Sequence, residues 1–352
     1  MAEKKYIDPL DDNLPDMLEN FPKKPLTSKD INLCDHSRHT LFDGGYYTCE
    51  GDKSCRKCRV SPMERYLNIT NSLMKPSRTA QRKLQVFNKF GPPAPGNIVF
   101  ISTLNSGQLY LFLNWVCSLE KIHIDATGLI LMVPTDRKTH DYLVRLGFLV
   151  VSIDWLADLQ KPIGKGYKSD KANIGGHSDI NNVGWILANE VLQSGYDIVL
   201  QDVDAIWKSD IRPFLRSAGL RRDLLGSGCR FTDKAKYPIN TGFLYFRNSF
   251  KSKVFFQTLV NVGELKLTSD QQLFNMVLLF HRFSDLEFRV LPYKFFYTFY
   301  GRSNPPQPTE HLKMFHIPGP FKRSKMAHYG FWLFDETCNV FDPVVNATMP
   351  IV

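Results

Sequence analysis

No apolar stretch in the 352-residue chain is long enough to cross a bilayer. The segments Tyr110 to Val116 and Phe274 to Phe280 are short and sit in helix-like or amphipathic contexts. The first residues, Met1 to Leu26, are acidic, carry proline and lack an apolar h-region, so no signal peptide is written here. Two settings are then expected: the cytoplasm, or a lumen entered through an anchor absent from this chain. There is no massed charge either. The net charge of +9 comes from 44 Lys and Arg interleaved with 35 acids, and local clusters such as Arg221-Arg222 are too small for a nucleic-acid stripe. A nucleic-acid partner is not expected; a dispersed positive balance suits a small anionic ligand or simply a solvated surface. Internal repeats and low-complexity tracts are also missing, which excludes solenoids and compositional tails.

Seven cysteines are present. Cys34, Cys49, Cys55 and Cys58 crowd the N-terminal region, while Cys117, Cys229 and Cys338 are scattered. The spacing C-x5-C-x2-C could form half of a zinc site, with His36 and His39 nearby, but no second C-x-x-C or H-x-x-x-H pair follows. Asn68-Ile-Thr70 and Asn346-Ala-Thr348 are N-glycosylation sequons. Clustered cysteines with two sequons point to an oxidising lumen, the Golgi in particular, with the cytoplasm as the alternative.

Residues 1–95 read as an irregular, cysteine-bearing region ending in the stiff stretch Gly91-Pro-Pro-Ala-Pro-Gly96. Residues 96–352 read as one α/β domain. Asn97 to Ser102, Gly128 to Pro134 and Phe148 to Ile153 are short apolar runs between turn signals, expected as buried strands. Between them, Ser106 to Leu119 (Ser106 as N-cap) and Asp136 to Leu146 (closed by Gly147) have helical character. A further helix, Ser178 to Leu192, places Val183, Ile186, Leu187 and Val191 on one face and stops at Ser194-Gly195. Strands alternating with helices imply a mostly parallel sheet joined by right-handed crossovers. Strands are also expected at Asp197 to Gln201, Leu224 to Ser227, Thr241 to Phe246 and Phe288 to Leu291. Helices are expected at Ser249 to Val262 and Asp270 to Phe280, the latter capped by Ser269 or Thr268.

Asp202-Val-Asp204 follows the strand Asp197 to Gln201 directly. Open parallel sheets bind ligands at the carboxyl ends of their strands. Two carboxylates at i and i+2 can face one hard cation, with Val203 anchoring the loop, and Mn²⁺ or Mg²⁺ prefers such oxygen ligands and shares the rest with a diphosphate. Standing alone, Asp-Val-Asp could equally be a loop-capping pair.

The run Gly195-Tyr-Asp-Ile-Val-Leu-Gln-Asp-Val-Asp-Ala-Ile-Trp207, followed by Asp210 and Pro213, resembles the core signature of the nucleotide-diphospho-sugar transferase family, which includes glycosyltransferase family 77. Asn240-Thr-Gly-Phe-Leu-Tyr-Phe-Arg247 resembles that family's N-T-G strand, and Asp270-Gln-Gln-Leu-Phe-Asn275 its D-Q helix. His316-Ile-Pro-Gly319-Pro-Phe-Lys322 is similar to the H-x-x-G-x-x-K element of related retaining enzymes. The resemblance runs from about Asn97 to Trp332.

The resemblance implies a single Rossmann-like domain of the GT-A type and a retaining reaction with a UDP-sugar and Mn²⁺ (or Mg²⁺). UDP-galactose or UDP-xylose is the kind of donor implied, and a glycan or glycoprotein the acceptor. It also implies site roles. Asp202, Asp204 and His316 would hold the metal, and Gly319 and Lys322 would meet the diphosphate. Asn240, Thr241 and Gly242 would line the sugar or acceptor, Asp270 and Gln271 would lie against the donor sugar, and Ser102 and Thr103 would meet the nucleobase and ribose. Asp270 could also be only a helix N-cap, Asn240-Thr-Gly only a turn entering a strand, and Trp207 reads as core rather than sugar platform. Two departures stand out. Asn181-Asn182-Val183-Gly184 occupies the stretch where the family shows a basic residue, and Gln201 precedes the aspartates where an apolar or small residue is usual. The first leaves room for a second function, a weak or inactive domain that binds a nucleotide or glycan. A zinc-dependent module at the N-terminal cysteines is a third reading.

Overall fold

The strands of this protein are apolar on both faces because both faces are covered. Odd and even positions serve different cores. Ile98, Phe100, Ile130, Met132, Val199, Phe243 and Tyr245 join one apolar cluster, and Val99, Ile101, Leu131, Val133, Ile198, Leu200, Leu244 and Phe246 join the other. This period-two split places a helical layer on each side of one sheet. The computed structural model describes residues 40–42, 46–48, 60–159, 174–228, 239–263, 270–278, 283–299, 311–318, 322–334 and 338.

In chain order the elements begin with a short antiparallel pair, β1 (Thr40–Phe42) and β2 (Tyr46–Thr48), then α1 (Val60–Leu73) and α2 (Pro76–Phe90). The main domain follows as β3 (Ile98–Leu104), α3 (Leu109–Glu120), β4 (Ile130–Pro134), α4 (Arg137–Arg145) and β5 (Leu149–Val150). Next come α5 (Ile174–Gln193), β6 (Asp197–Gln201), β7 (Ala205–Trp207), α6 (Arg212–Gly219), β8 (Leu224–Gly228) and β9 (Ile239–Phe246). The remainder is α7 (Phe250–Gly263), α8 (Asp270–Leu278), β10 (Phe288–Val290), β11 (Phe296–Thr298), β12 (Met314–His316) and α9 (Lys322–His328).

Seven strands form the central sheet in the order β10-β8-β9-β6-β3-β4-β5. All pairings are parallel except those of β9, which runs antiparallel to both neighbours. The expected mixed α/β class with a mostly parallel sheet is what the chain adopts. A second, three-stranded sheet, β11-β12-β7, grows from the residues just after the aspartates; β12 pairs antiparallel with β7.

Several local expectations change. Ser106 is not the N-cap before α3. Asn105 accepts from the Gly107 amide and opens a short 3-10 turn, because its longer side chain reaches two residues on. Asp136, read as the first residue of its helix, is instead the N-cap of α4 through the Thr139 amide, and it also accepts from the Ser106 amide at 2.6 Å, joining two loops at the carboxyl edge. The third strand is only two residues long: the Ser152 hydroxyl donates to Asp154 and accepts from its amide, and this turn draws the backbone out of the ladder. The capping residues Thr268 and Ser269 lie outside the described residues.

The stretch before Gly96, expected as irregular, holds two helices between residues 60 and 90. Pro76 sits in the first turn of α2, where its missing N–H costs nothing. On the inner face, Arg82 and Val86 are buried, and Arg82 forms a fork with Glu190 of α5 at 2.5 and 3.3 Å. Asn68 of the first sequon lies exposed on α1, while Cys34, Cys49, Cys55, Cys58, Cys229 and Asn346 fall outside the described residues. No helix of the described residues is long and apolar enough to cross a membrane. Cys117, read as scattered, is bonded to Cys338 across 221 residues with a Cα–Cα distance of 5.8 Å.

Both Arg82 and Glu190 are almost fully buried, so removing one strands the other charge away from water. Glu190→Ala is expected to cost about 3–5 kcal/mol in urea denaturation. The double change Arg82→Met with Glu190→Leu should restore most of it. Stability of Glu190→Ala within error of wild type would show that α2 is not docked on α5.

Candidate metal and nucleotide-sugar site

Backbone register assembles the site. β6 ends at Gln201, and its pairing with β9 sets Gln201 opposite Phe243, so the Asp202 amide donates to the Gly242 carbonyl at 2.9 Å. Asn240-Thr-Gly242, which lies inside β9 and is not a turn before it, is thereby laid against the aspartates. Beyond them, β7 pairs with β12 so that Ala205 faces His316, and the Ile317 amide donates to the Asp204 carbonyl at 3.3 Å. Two ladders bring residues 202, 204, 242 and 316 to one point at the carboxyl end of β6.

The ligand atoms of Asp202, Asp204 and His316 all lie within 4.8 Å of one another. His316 Nε2 is 3.1 Å from Asp204 Oδ1 and 3.8 Å from Asp202 Oδ2. The imidazole is wholly buried and the Asp204 side chain nearly so, whereas the Asp202 side chain is 48% exposed and faces the approach. Among the described residues His316 Nδ1 has no hydrogen-bond partner, while His316 Nε2 and the two Asp204 oxygens meet the charged groups of the site itself, Nε2 beside Oδ1 and the Lys322 ammonium beside Oδ2. A divalent cation set between the two carboxylates and the imidazole nitrogen would be a suitable partner for all three side chains together. The residues fit a metal.

Lys322, at the first position of α9, pairs its ammonium with Asp204 Oδ2. Burial alone would raise the Asp204 carboxyl, but Lys322 and then His316 outweigh it and hold the group well below the usual carboxylate range. Asp202 moves the other way: loss of hydration in the site, then the neighbouring Asp204 charge, raise it. The two carboxylates therefore divide the work, one permanently charged inside, one at the mouth.

Gly242 is dictated by close approach. A Cβ there would stand 2.2 Å from His316 Cε1 and 2.7 Å from Nε2. The Asn240 Oδ1 accepts from the Gly242 amide at 2.9 Å, and its Nδ2 donates to Gln271 Oε1 at 3.1 Å. Thr241 Oγ1 donates to Asp270 Oδ2 at 3.3 Å, so the N-T-G strand and the D-Q helix form one hydrogen-bonded wall. Asp270 begins α8. Of the first-strand pair, Ser102 is buried and donates to the Gln201 carbonyl at 2.9 Å, which makes it a tie between β3 and β6. Thr103 is half-buried and rests against Gly184 of α5, where a Cβ would come within 2.2 Å of its hydroxyl. A basic side chain at 184 has no room there. Gly319 lies outside the described residues.

Four residues with no site role expected from the sequence contribute. Asn181 of α5 donates to Asp270 Oδ2 at 2.8 Å, from the stretch where the family carries a base. Asn275 reads the Ile239 peptide from both sides, accepting from its amide at 3.0 Å and donating to its carbonyl at 2.9 Å, which docks α8 on β9. Asn114 is a fully buried amide in the otherwise apolar α3 and holds the chain after α9. Gln201, a departure from the family pattern, braces the aspartate turn from beneath: its amide donates to the Ala205 carbonyl at 3.1 Å and its oxygen accepts from the Trp207 indole at 2.9 Å. Trp207 is core, as expected, with Phe100 5.1 Å away. A lone polar residue in an apolar run was the available signal for Asn114; nothing local marks Asn181.

An α/β sheet that gathers two carboxylates and an imidazole at its carboxyl edge, flanked by a lysine, has the donor set that a metal ion with an anionic ligand requires. The family model for nucleotide-diphospho-sugar transferases matches residues 129–321, more than half of the chain, and the chain belongs to that family. It is accordingly a transferase. The match takes in Asp202, Asp204, the N-T-G strand, the D-Q helix and His316, and stops one residue before Lys322. Solved structures overlay on part of the fold. The glycosyltransferase GlyE of Streptococcus pneumoniae TIGR4 is 15% identical over 57% of this chain, with a TM-score of 0.35, and the overlay spans 46% of that chain. Mouse xyloside xylosyltransferase 1 is 14% identical over 62% of this chain and 96% of its own, with a TM-score of 0.38. An active-site mutant of LgtC is 11% identical over 72% of this chain and 97% of its own, at 0.38. No curated protein sequence matches the chain.

Two outcomes follow from this geometry. Gly242→Ala should push the His316 ring out of place and weaken Mn²⁺ binding about 10–100-fold, measured by electron paramagnetic resonance on folded protein. Unchanged affinity would remove His316 from the ligand set. In chelator-treated protein, the charge on Asp204 stabilises the fold fully above the ordinary carboxylate value of about 3.9, and that contribution is lost as pH falls towards the lower folded value. Wild type should therefore lose stability more steeply than Asp204→Asn between about pH 5 and pH 3 in denaturation curves, the Asn variant being less stable at neutral pH.

Proposed function

We propose that the protein is a retaining, divalent-metal-dependent glycosyltransferase that moves a sugar from a UDP-sugar, of the UDP-galactose or UDP-xylose kind, to a glycan or glycoprotein acceptor. The observation that carries the reading is the convergence of Asp202, Asp204 and His316 within 4.8 Å at the carboxyl edge of the sheet. Mn²⁺ or Mg²⁺ held there supplies charge neutralisation for the departing diphosphate. Lys322 adds a cation on the same side, and α9 presents it at its first turn. Asp270 and Gln271, fixed by Asn181, Thr241 and Asn240, face the sugar, with Asp270 orienting hydroxyls through its carboxylate. Thr103, with Ser102 holding its strand, and residues 240–242 border the nucleotide and sugar, and Gly319 belongs to the diphosphate loop. Retention follows from the family resemblance. The Golgi lumen as working compartment is supported by the Cys117–Cys338 disulfide, a bond of oxidising compartments.

One observation favours a second reading, a nucleotide- or glycan-binding domain of little activity. The neutral Asn181 engages Asp270 in the stretch where the family resemblance calls for a basic residue, which would leave the proposed donor pocket one cation short. Donor hydrolysis with and without Mn²⁺ separates the readings, since a binding domain shows none in either.

Asp202 is the informative position to change. Asp204 is buried on Lys322, so Asp204→Ala damages both fold and metal site, whereas the Asp202 side chain is half exposed and can be changed with less damage to the fold. Asp202→Asn should therefore leave the fold largely intact at pH 7, yet lower UDP release in a donor panel by roughly 100-fold or more. Wild-type turnover by this variant would sink the metal-assisted assignment.

A further inference from the structure

Three residues of α3, Asn114, Cys117 and Ser118, fall at i, i+3 and i+4 and so share one stripe of an otherwise apolar, buried helix. Each grips a segment that carries part of the site. The Ser118 hydroxyl accepts from the Trp207 amide at 3.1 Å and so fixes β7, which starts one residue after Asp204. Asn114 donates to the Phe331 carbonyl at 3.0 Å, and its oxygen accepts from the Leu333 and Phe334 amides at 2.5 and 3.0 Å. Cys117 is bonded to Cys338.

The chain held by Asn114 and Cys117 is the return of α9. The Phe331 and Trp332 amides both donate to the Met326 carbonyl, at 2.7 and 3.2 Å, which folds the end of α9 into a hook. Met326 is wholly buried, and Phe331 stacks on Phe315 of β12 with centroids 4.3 Å apart. The other end of this seven-residue helix is Lys322, on Asp204. A helix so short has little stability of its own, so its position depends on what pins its far end.

We propose that Asn114 and the Cys117–Cys338 bond are positioning residues for Lys322, holding α9 at the depth where its ammonium serves the diphosphate of a metal-bound nucleotide. The proposal rests on the nucleotide-sugar reading above. It makes diphosphate affinity depend on a disulfide and an amide that touch neither metal nor ligand.

The test uses the full chain, Mn²⁺ and UDP, at a temperature well below the melting point of every variant. Calorimetry should find Mn²⁺–UDP binding weakened about tenfold in Cys117→Ser/Cys338→Ser and in Asn114→Ala, the scale of one charge-assisted contact. Mn²⁺ affinity without nucleotide should not fall, because Asp202, Asp204 and His316 stay in their ladders. Adding Lys322→Ala to either variant should cause no further loss, since the same contact is already gone. Unchanged Mn²⁺–UDP affinity in the cysteine double variant, or losses that add to that of Lys322→Ala, overturns the proposal. If Asn114→Ala does not fold, the cysteine variant decides alone. Wild type failing to bind Mn²⁺–UDP overturns the nucleotide reading and this proposal with it; wild-type binding with unaffected variants overturns the proposal only.

Discussion

A carboxylate held out of water governs this structure. Asp204 sits at the end of a buried strand, and leaving its charge unpaired there would cost several kcal/mol. A partner must come to it, and the chain supplies the Lys322 ammonium, with the His316 ring beside it, from more than a hundred residues downstream. The small β11-β12-β7 sheet, the α9 hook and the disulfide to α3 can each be understood as the means of bringing that late segment back and keeping it there. The same demand suits function, because a site that must be neutralised is one that welcomes a divalent ion.

Around this charge, buried amides do the local positioning. Gln201 spans the aspartate turn, Asn275 reads a strand peptide, Asn240 links the N-T-G strand to the D-Q helix, and Asn114 clamps the returning chain. Each offers a donor and an acceptor in one rigid plane, so it can satisfy two polar groups at once, backbone or side chain. Neutral amides carry this out without adding charge to a core already holding Asp204 and the Arg82–Glu190 fork. The tolerance for a polar residue at 201, unexpected beside an apolar strand, follows from both of its ends being paired.

The meeting of Asp202, Asp204 and His316 is legible in the sequence because a strand of apolar residues ending in Asp-Val-Asp specifies its own position at a sheet edge, and because motif order supplies His316. Thr103 and residues 240–242 lie at the same edge for the same reason. The Ser106 cap, the length of the third strand and the character of residues 60–90 depart from expectation, since each turns on a competition between side chain and backbone, or on burial against a distant helix, that neighbours in sequence do not reveal. Asn181 and Cys117 belong to the same class: their partners lie 89 and 221 residues away.

By itself, then, the sequence determined the α/β class, the seven strands of the central sheet with the helices α3, α4, α5, α7 and α8, and the residues chemically able to hold a cation, because hydrophobic period and residue chemistry are local properties; α6, α9 and the strands of the small sheet were not read from it. Only the tertiary structure decided that β9 runs against its neighbours, that Ala205 faces His316, that a glycine must stand at 242, and that Lys322 reaches Asp204 from a helix pinned to α3. Those are matters of register and of which distant surfaces meet, and they are settled by packing both faces of the sheet while leaving no charge buried alone.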